Sequence, residues 1–205
     1  MKRIEALAVL ADLTSRHPVV VTCAATSREL ASVKDADNHL YLLDAMGLAG
    51  SVATGLALSV DPAAPKVVGI EGDGSLFMNP NVLPTGGYLA PDNLLLVLLD
   101  NGVYGSTGAL PTYSSRVGLD RLAAAAGWTT RVTDSADGLR AAFGDLLTVT
   151  GPAFLYARIE EGNAQGIEKL LIDPVTITGR FTRWLREAHA GTGGTGGTGG
   201  TGGTT

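Results

Sequence analysis

Short apolar runs recur along the chain, most of them bounded by Gly, Pro, Asn or Asp: residues 18–22 (PVVVT), 39–43 (HLYLL), 66–71 (KVVGIE), 93–100 (NLLLVLLD) and 152–160, with 129–132 (TTRV) a further, more polar predicted strand. They are too short for helices and carry no alternation of polar and apolar positions, so they read as strands buried on both faces, as parallel sheets require. Between them lie segments with helical spacing. Residues 2–16 place Ile4, Leu7, Ala8, Leu10 and Ala11 near one face. Residues 47–60, 120–126, 135–149 and 176–189 are further predicted helices. The stretch between the third and fourth strands is predicted helical, with Pro80 and Pro84 at helix starts or a kink. Thr26-Ser27-Arg28-Glu29 has the spacing of a capping box opening a helix. Strands alternating with helices predict an α/β fold: a doubly wound, mainly six-stranded parallel sheet with helices on both faces. Residues 1–190 are expected to form this one domain, and residues 191–205, a Gly/Thr repeat, a flexible low-complexity tail.

Composition narrows the function. A chain of 205 residues suits a single core, and a net charge of -5 argues against a dedicated nucleic-acid binder. The single cysteine, Cys23, can neither close an intrachain disulfide nor hold an iron-sulfur cluster alone, and is expected to be a small buried residue ending a strand. Residues 45–60 are uncharged but too short and too rich in glycine for a membrane span, and Glu5 and Asp12 interrupt any secretory apolar region. A cytoplasmic protein with no membrane partner is expected. His17, His39 and His189 show no metal-ligand spacing.

The chemistry concentrates after the third and fourth predicted strands. Gly72-Asp73-Gly74-Ser75 follows one, and Asp100-Asn101 ends the other. Parallel neighbours would bring both to the carboxyl edge, where doubly wound sheets bind ligands, and hard oxygen ligands there suit magnesium. A plainer reading makes Asp73 or Ser75 a helix cap and Asn101-Gly102 a tight turn.

GDG, about two dozen residues, then Asn resembles the cofactor-binding domain of decarboxylases dependent on thiamine diphosphate (ThDP). The resemblance implies ThDP and Mg2+ as cofactors, with Asp73, Asn101 and the backbone oxygen of Val103 as metal ligands. It assigns Gly72, Gly74 and Ser75 to the diphosphate, and Ser106 in Gly105-Ser106-Thr107-Gly108 to the same group. Asp44-Ala45-Met46-Gly47 resembles the family's Gly-x-hydrophobe-Gly segment. There Met46 would wedge between the cofactor's rings, and the carbonyl of Asp44, often Gly in relatives, would accept from the 4'-amino group. Alone, Met46 also reads as a core methionine at a helix start. Thr26 to Leu30, TSREL, resembles a stretch of phosphonopyruvate and sulfopyruvate decarboxylases. By that resemblance Thr26 and Ser27 line the diphosphate, and Arg28 answers an anionic substrate group bidentately. The capping-box reading instead leaves Arg28 solvated.

Decarboxylases of this type carry a second, pyrimidine-binding domain with the glutamate that activates the cofactor. No such domain is legible here, so no activating residue is expected on this chain. The resemblance therefore implies the small (beta) subunit of a split 2-oxo acid decarboxylase, with sulfopyruvate or phosphonopyruvate as first candidates. Its partner would be a separate pyrimidine-binding (alpha) subunit, in a hetero-oligomer such as alpha2beta2 or larger. Alternatives are a ThDP-dependent carboligase subunit, a non-catalytic ThDP-binding or scaffolding subunit, and a plain nucleotide-binding module.

Overall fold

A computed structural model describes residues 1–190; the predicted tail lies outside the described residues. The strands are β1 (Val19–Val21), β2 (His39–Tyr41), β3 (Val67–Gly72), β4 (Leu94–Asp100), β5 (Val103–Tyr104), β6 (Leu110–Pro111), β7 (Thr129–Thr133) and β8 (Ala153–Arg158). Six of them form one sheet in the order β2-β1-β3-β4-β8-β7, every pair parallel. β4 at its centre is buried at all seven residues. Its Leu95, Val97 and Leu99 enter the core on one face, and Leu94, Leu96 and Leu98 the core on the other. An uninterrupted apolar strand is what this position demands, because helices cover both faces.

The helices are α1 (Arg3–Leu13), α2 (Ala25–Val33), α3 (Ala49–Ser59), α4 (Asp73–Met78), α5 (Val82–Leu89), α6 (Leu119–Ala125), α7 (Ala136–Leu147) and α8 (Pro174–Ala190). Leu7 and Leu10 of α1, Leu30 of α2, Phe143 of α7 and Ile177 of α8 fill one core. Ala49, Ala53 and Ala57 of α3, with Leu83, Leu119, Trp128 and Phe154, fill the other. The small residues of α3, one turn apart, let it lie close on Gly69 of β3, where an added Cβ would stand 3.1 Å from that of Ala53. α8 is moored to the β2 edge by Arg180, whose guanidinium forks Asp35 at 2.5 and 2.6 Å.

The predicted doubly wound sheet is present, and each predicted element lies within a few residues of its expected place. Three details differ. α1 buries Arg3, Ala6, Leu7 and Val9 to Ala11, while Ile4 and Ala8 are only half-buried. The capping box does not form: α2 starts at Ala25, and Ala24 before it adopts φ 65°. Glu29 cannot reach back to cap, because its carboxylate is taken by Arg3 and the Ala164 N–H. The GSTG segment joins a small antiparallel pair, β5 and β6, which the sequence did not suggest. Among the described residues no helix is long and apolar enough to cross a membrane.

Candidate active site

β2 lies on one side of β1 and β3 on the other, so the winding reverses direction between β1 and β3. A crevice opens at such a point, outside the carboxyl ends of the strands. Here it is a cleft of about 150 Å3, walled by the residues that follow β1, β3 and β4. Met46, Thr26, Arg28, Gly72, Asp73, Gly74, Ser75, Asn101, Val103 and Ser106 all line it. Ser27 and Asp44 do not. The Ser27 hydroxyl is buried and donates to the Thr22 carbonyl, and Asp44 borders a neighbouring depression with Leu43 and Lys169.

Asp73 is only 2% exposed. Its Oδ2 accepts from Thr112 Oγ1 at 2.6 Å and its Oδ1 from the Asn101 N–H at 3.4 Å. Burial, reinforced by the negative charge of Asp100, pushes its carboxyl up to about 6, while Thr112 and the Asn101 N–H pull the other way. Asp100 is itself buried and accepts from the Gly102 N–H at 2.8 Å, from Ser114 Oγ at 3.0 Å and from the Tyr156 hydroxyl. A buried carboxylate that also feels a second negative charge is a hard oxygen donor that a divalent cation would neutralise.

Further oxygens stand beside them. Asn101 Oδ1 accepts from the Val103 N–H at 3.2 Å, the turn that Asn-Gly favours, and Gly102 supplies φ 75°. Pairing of the Thr112 N–H with the Gly102 carbonyl makes Val103 and Pro111 a non-hydrogen-bonded pair. The Val103 carbonyl therefore points out of the ladder, and Pro111 loses nothing by lacking an N–H. Among the described residues no three His, Cys, Asp or Glu side chains converge on a metal position. A cation here would rely on the Asp73 carboxylate together with amide and main-chain oxygens and its anionic ligand.

The rest of the cleft is shaped by close approach. The Tyr104 ring lies over Gly74, where a Cβ would meet its Cδ1 at 2.6 Å. Ser75 Oγ accepts from the Gly47 N–H at 2.7 Å and shares a hydrogen bond with Thr22 Oγ1 at 3.0 Å. That hydroxyl is occupied, so the Ser75 N–H in the first turn of α4 is the group left for an anion. Asp44, at φ 53°, and Gly47, at φ 75°, bracket Met46 in a tight turn. Asp tolerates the left-handed region better than most residues, so Asp44 can stand at this turn position. Met46 is half-buried on the cleft wall.

Sequence reasoning missed three contributors. Asp100 had one signal, an acid ending an otherwise apolar run. Arg3 and Asn163 had none: Arg3 forks buried Glu29 at 2.6 and 3.1 Å, reaches Asn163 Oδ1 at 2.5 Å, and both residues line the cleft. Their separation in sequence hides the pairing.

The model of the C-terminal TPP binding domain of thiamine pyrophosphate enzymes matches residues 21–157, the span from β1 through β8 that builds this cleft. The chain belongs to the thiamine pyrophosphate enzyme family. A sulfopyruvate decarboxylase subunit beta from Methanothermobacter thermautotrophicus is 36% identical over 92% of this chain and 97% of its own length. A phosphonopyruvate decarboxylase from Streptomyces viridochromogenes is 38% identical over 90% of this chain. The chain spans about half the length of that relative, 46%. Among solved structures, the ThDP-dependent 4-hydroxybenzoylformate decarboxylase of Rhodococcus jostii superposes with a TM-score of 0.67 at 20% identity, over 80% of this chain and 33% of that one. The shared fold is thus the cofactor-binding domain of this thiamine pyrophosphate enzyme family.

Proposed function

We propose that the chain is the diphosphate- and metal-binding beta subunit of a split, Mg- and ThDP-dependent 2-oxo acid decarboxylase, acting in the cytoplasm with a separate pyrimidine-binding subunit. The observation that carries this reading is the convergence of Asp73, Asn101 and Val103 on one cleft at the reversal of winding. The match to sulfopyruvate decarboxylase beta subunits along nearly their whole length supports the split arrangement.

In this reading Asp73, Asn101 and the Val103 carbonyl would hold Mg2+ through hard oxygens, the kind of ligand that ion takes. Main-chain groups of Gly72 to Ser75, with Thr26 and Ser106, hold the diphosphate. Met46, on the cleft wall, would press on the cofactor and set its conformation. When bound, ThDP supplies the carbanion-stabilising chemistry that releases carbon dioxide. Arg28 reaches the cleft with only its Nε engaged, at 3.2 Å from the Ala24 carbonyl, and offers its remaining donors to an anionic substrate group. That chemistry favours sulfopyruvate or phosphonopyruvate over a 2-oxo acid with an apolar tail.

The test is carbon dioxide release from sulfopyruvate, phosphonopyruvate and pyruvate, side by side, by the chain combined with a pyrimidine-binding subunit, Mg2+ and ThDP. Turnover of one of the two dianionic substrates, lowered at least tenfold in kcat/KM by Arg28→Ala, is the expected result. Cofactor binding without turnover of any 2-oxo acid would instead identify a non-catalytic ThDP-binding subunit.

A further inference from the structure

One buried acid next to the cleft has no part in the reading above. Glu71, the penultimate residue of β3, is 1% exposed and points to the α3 side of the sheet, opposite Ile70. Its Oε2 accepts from the Gly50 N–H at 3.3 Å. The carboxyl therefore stands at the start of α3, whose N-cap residue, Leu48, has no side chain able to cap it. Its Oε1 is buried with no hydrogen-bond partner among the described residues. Burial drives the Glu71 carboxyl up; the nearby hydroxyls of Ser75 and Thr22 and the N–H groups of Gly50 and Ala49 temper this, although neither hydroxyl is in hydrogen-bonding geometry with Oε1.

The surroundings of that orphan oxygen lead to Met46. Thr22 and Ser75 are hydrogen-bonded to each other, and Ser75 Oγ takes the Gly47 N–H. From the other side, Asn79 Nδ2 donates to the Gly47 carbonyl at 2.9 Å and to Ser51 Oγ at 3.1 Å. Gly47, at φ 75° and with Asn79 Cβ only 3.0 Å from where its own Cβ would be, is thus clamped on both of its main-chain groups. Immediately before it is Met46, and two residues after it α3 begins, on Glu71. Asp44 at φ 53° and Ala24 at φ 65° show that backbone on both sides of this cluster is held away from its relaxed conformation. Strain of that kind persists only where surrounding contacts over-determine it.

We propose that Glu71 is a positioning residue for the cofactor wedge: its carboxyl holds the Gly50 N–H in the first turn of α3, packed beside the Thr22–Ser75 pair, and so fixes the Gly47 turn that presents Met46 to the cleft. The inference rests on the Met46 assignment above. It concerns the bend of the cofactor and the height of the barrier, not the grip on diphosphate, because Glu71 itself does not line the cleft.

The experiment uses the chain with its pyrimidine-binding partner and compares Glu71→Gln and Glu71→Met. Gln keeps shape, accepts from the Gly50 N–H and has an N–H for Oε1's neighbours. Met fills the space but removes both functions, and replacing a buried, part-satisfied acid with an apolar residue of like volume is generally tolerated by the fold. Glu71→Gln is expected to stay within about twofold of wild type in kcat, and Glu71→Met to lose at least about tenfold in kcat while its Kd for Mg-ThDP stays within about threefold. Circular dichroism of the bound aminopyrimidine reads the same effect without turnover: its band should be retained in Glu71→Gln and altered in Glu71→Met. If Glu71→Met keeps wild-type kcat and an unaltered band, or if both variants lose cofactor affinity and kcat in parallel, the proposal is overturned. Should Glu71→Met not fold, Asn79→Ala removes the other clamp on Gly47 and must show the same split, with kcat down and Kd retained. Failure of the wild-type complex to bind Mg-ThDP would count against the functional reading itself, which separates the two outcomes.

Discussion

Thr112→Val isolates the electrostatics of the proposed metal position. The substitution keeps shape and removes one hydrogen bond, from Thr112 Oγ1 to Asp73 Oδ2 at 2.6 Å, between groups that are 4% and 2% exposed. A buried hydrogen bond to a charged acceptor is worth about 1.5–3 kcal/mol, which corresponds to roughly a ten- to hundredfold rise in the carboxylate's affinity for a proton once the donor is gone. In the native chain Asp73 titrates at about 6, raised by burial and by Asp100. A metal ligand must shed its proton before it coordinates, so proton and cation compete. At pH 6 the native site is half protonated and the variant almost fully so, and the apparent affinity for Mg-ThDP should drop roughly five- to fiftyfold. At pH 8 native Asp73 is ionised and the variant at least about half so, and the loss should shrink to about twofold or less. Calorimetric titration of Mg-ThDP into the chain with its partner, at both pH values, measures the two ratios. A loss that is the same at pH 6 and pH 8, or absent at both, would refute the claim that Asp73 protonation governs metal binding.

Three further outcomes follow from packing and charge. Gly87 faces α6 so closely that a Cβ would overlap the Ala126 carbonyl oxygen, so Gly87→Ala should destabilise the fold by about 3 kcal/mol or more in urea denaturation; an unchanged midpoint would deny that contact. Arg3→Ala strands the carboxylate of Glu29, 2% exposed, and should cost about 3–5 kcal/mol, whereas Arg3→Leu combined with Glu29→Leu should cost less than Arg3→Ala alone. His39 is fully buried, and burial lowers it to about 4 from an ordinary value of 6.5. The unfolded chain therefore binds a proton that the folded chain refuses, and stability should fall as pH drops from about 6.5 to 4, by about 3 kcal/mol at most. His39→Phe should flatten that slope in denaturant titrations across the window; an equal slope in the variant would assign it to other groups.

The architecture and half of the site were legible in the sequence for one reason: both depend on local signals. Runs such as LLLVLLD announce a strand buried on two faces, and glycines around Asp73 mark where such a strand must end. Position at a strand's end then fixes position at the carboxyl edge, because all strands of the main sheet run the same way. What could not be read depends on partners distant in the chain. Thr26 and Glu29 have capping-box spacing, yet Glu29 is drawn to Arg3 and to Ala164, and the helix starts earlier. Ser75 reads as a diphosphate contact through hydroxyl and main-chain N–H alike, yet its Oγ is engaged by Gly47 and Thr22, which leaves the N–H. Asp73 reads as a sheet-edge residue, yet lies buried beside Asp100, because the β5–β6 hairpin folds Thr112 over it. Each of these is a tertiary contact overriding a local preference, and each falls at the cleft.

Mg-ThDP titrated into the chain combined with a pyrimidine-binding subunit should bind tightly, lose that affinity when Mg2+ is chelated, and lose at least about a hundredfold with Asp73→Asn, which removes the carboxylate but preserves its shape. Binding of ThDP that is indifferent to both chelation and Asp73→Asn would contradict the metal assignment and, with it, the reading of this cleft.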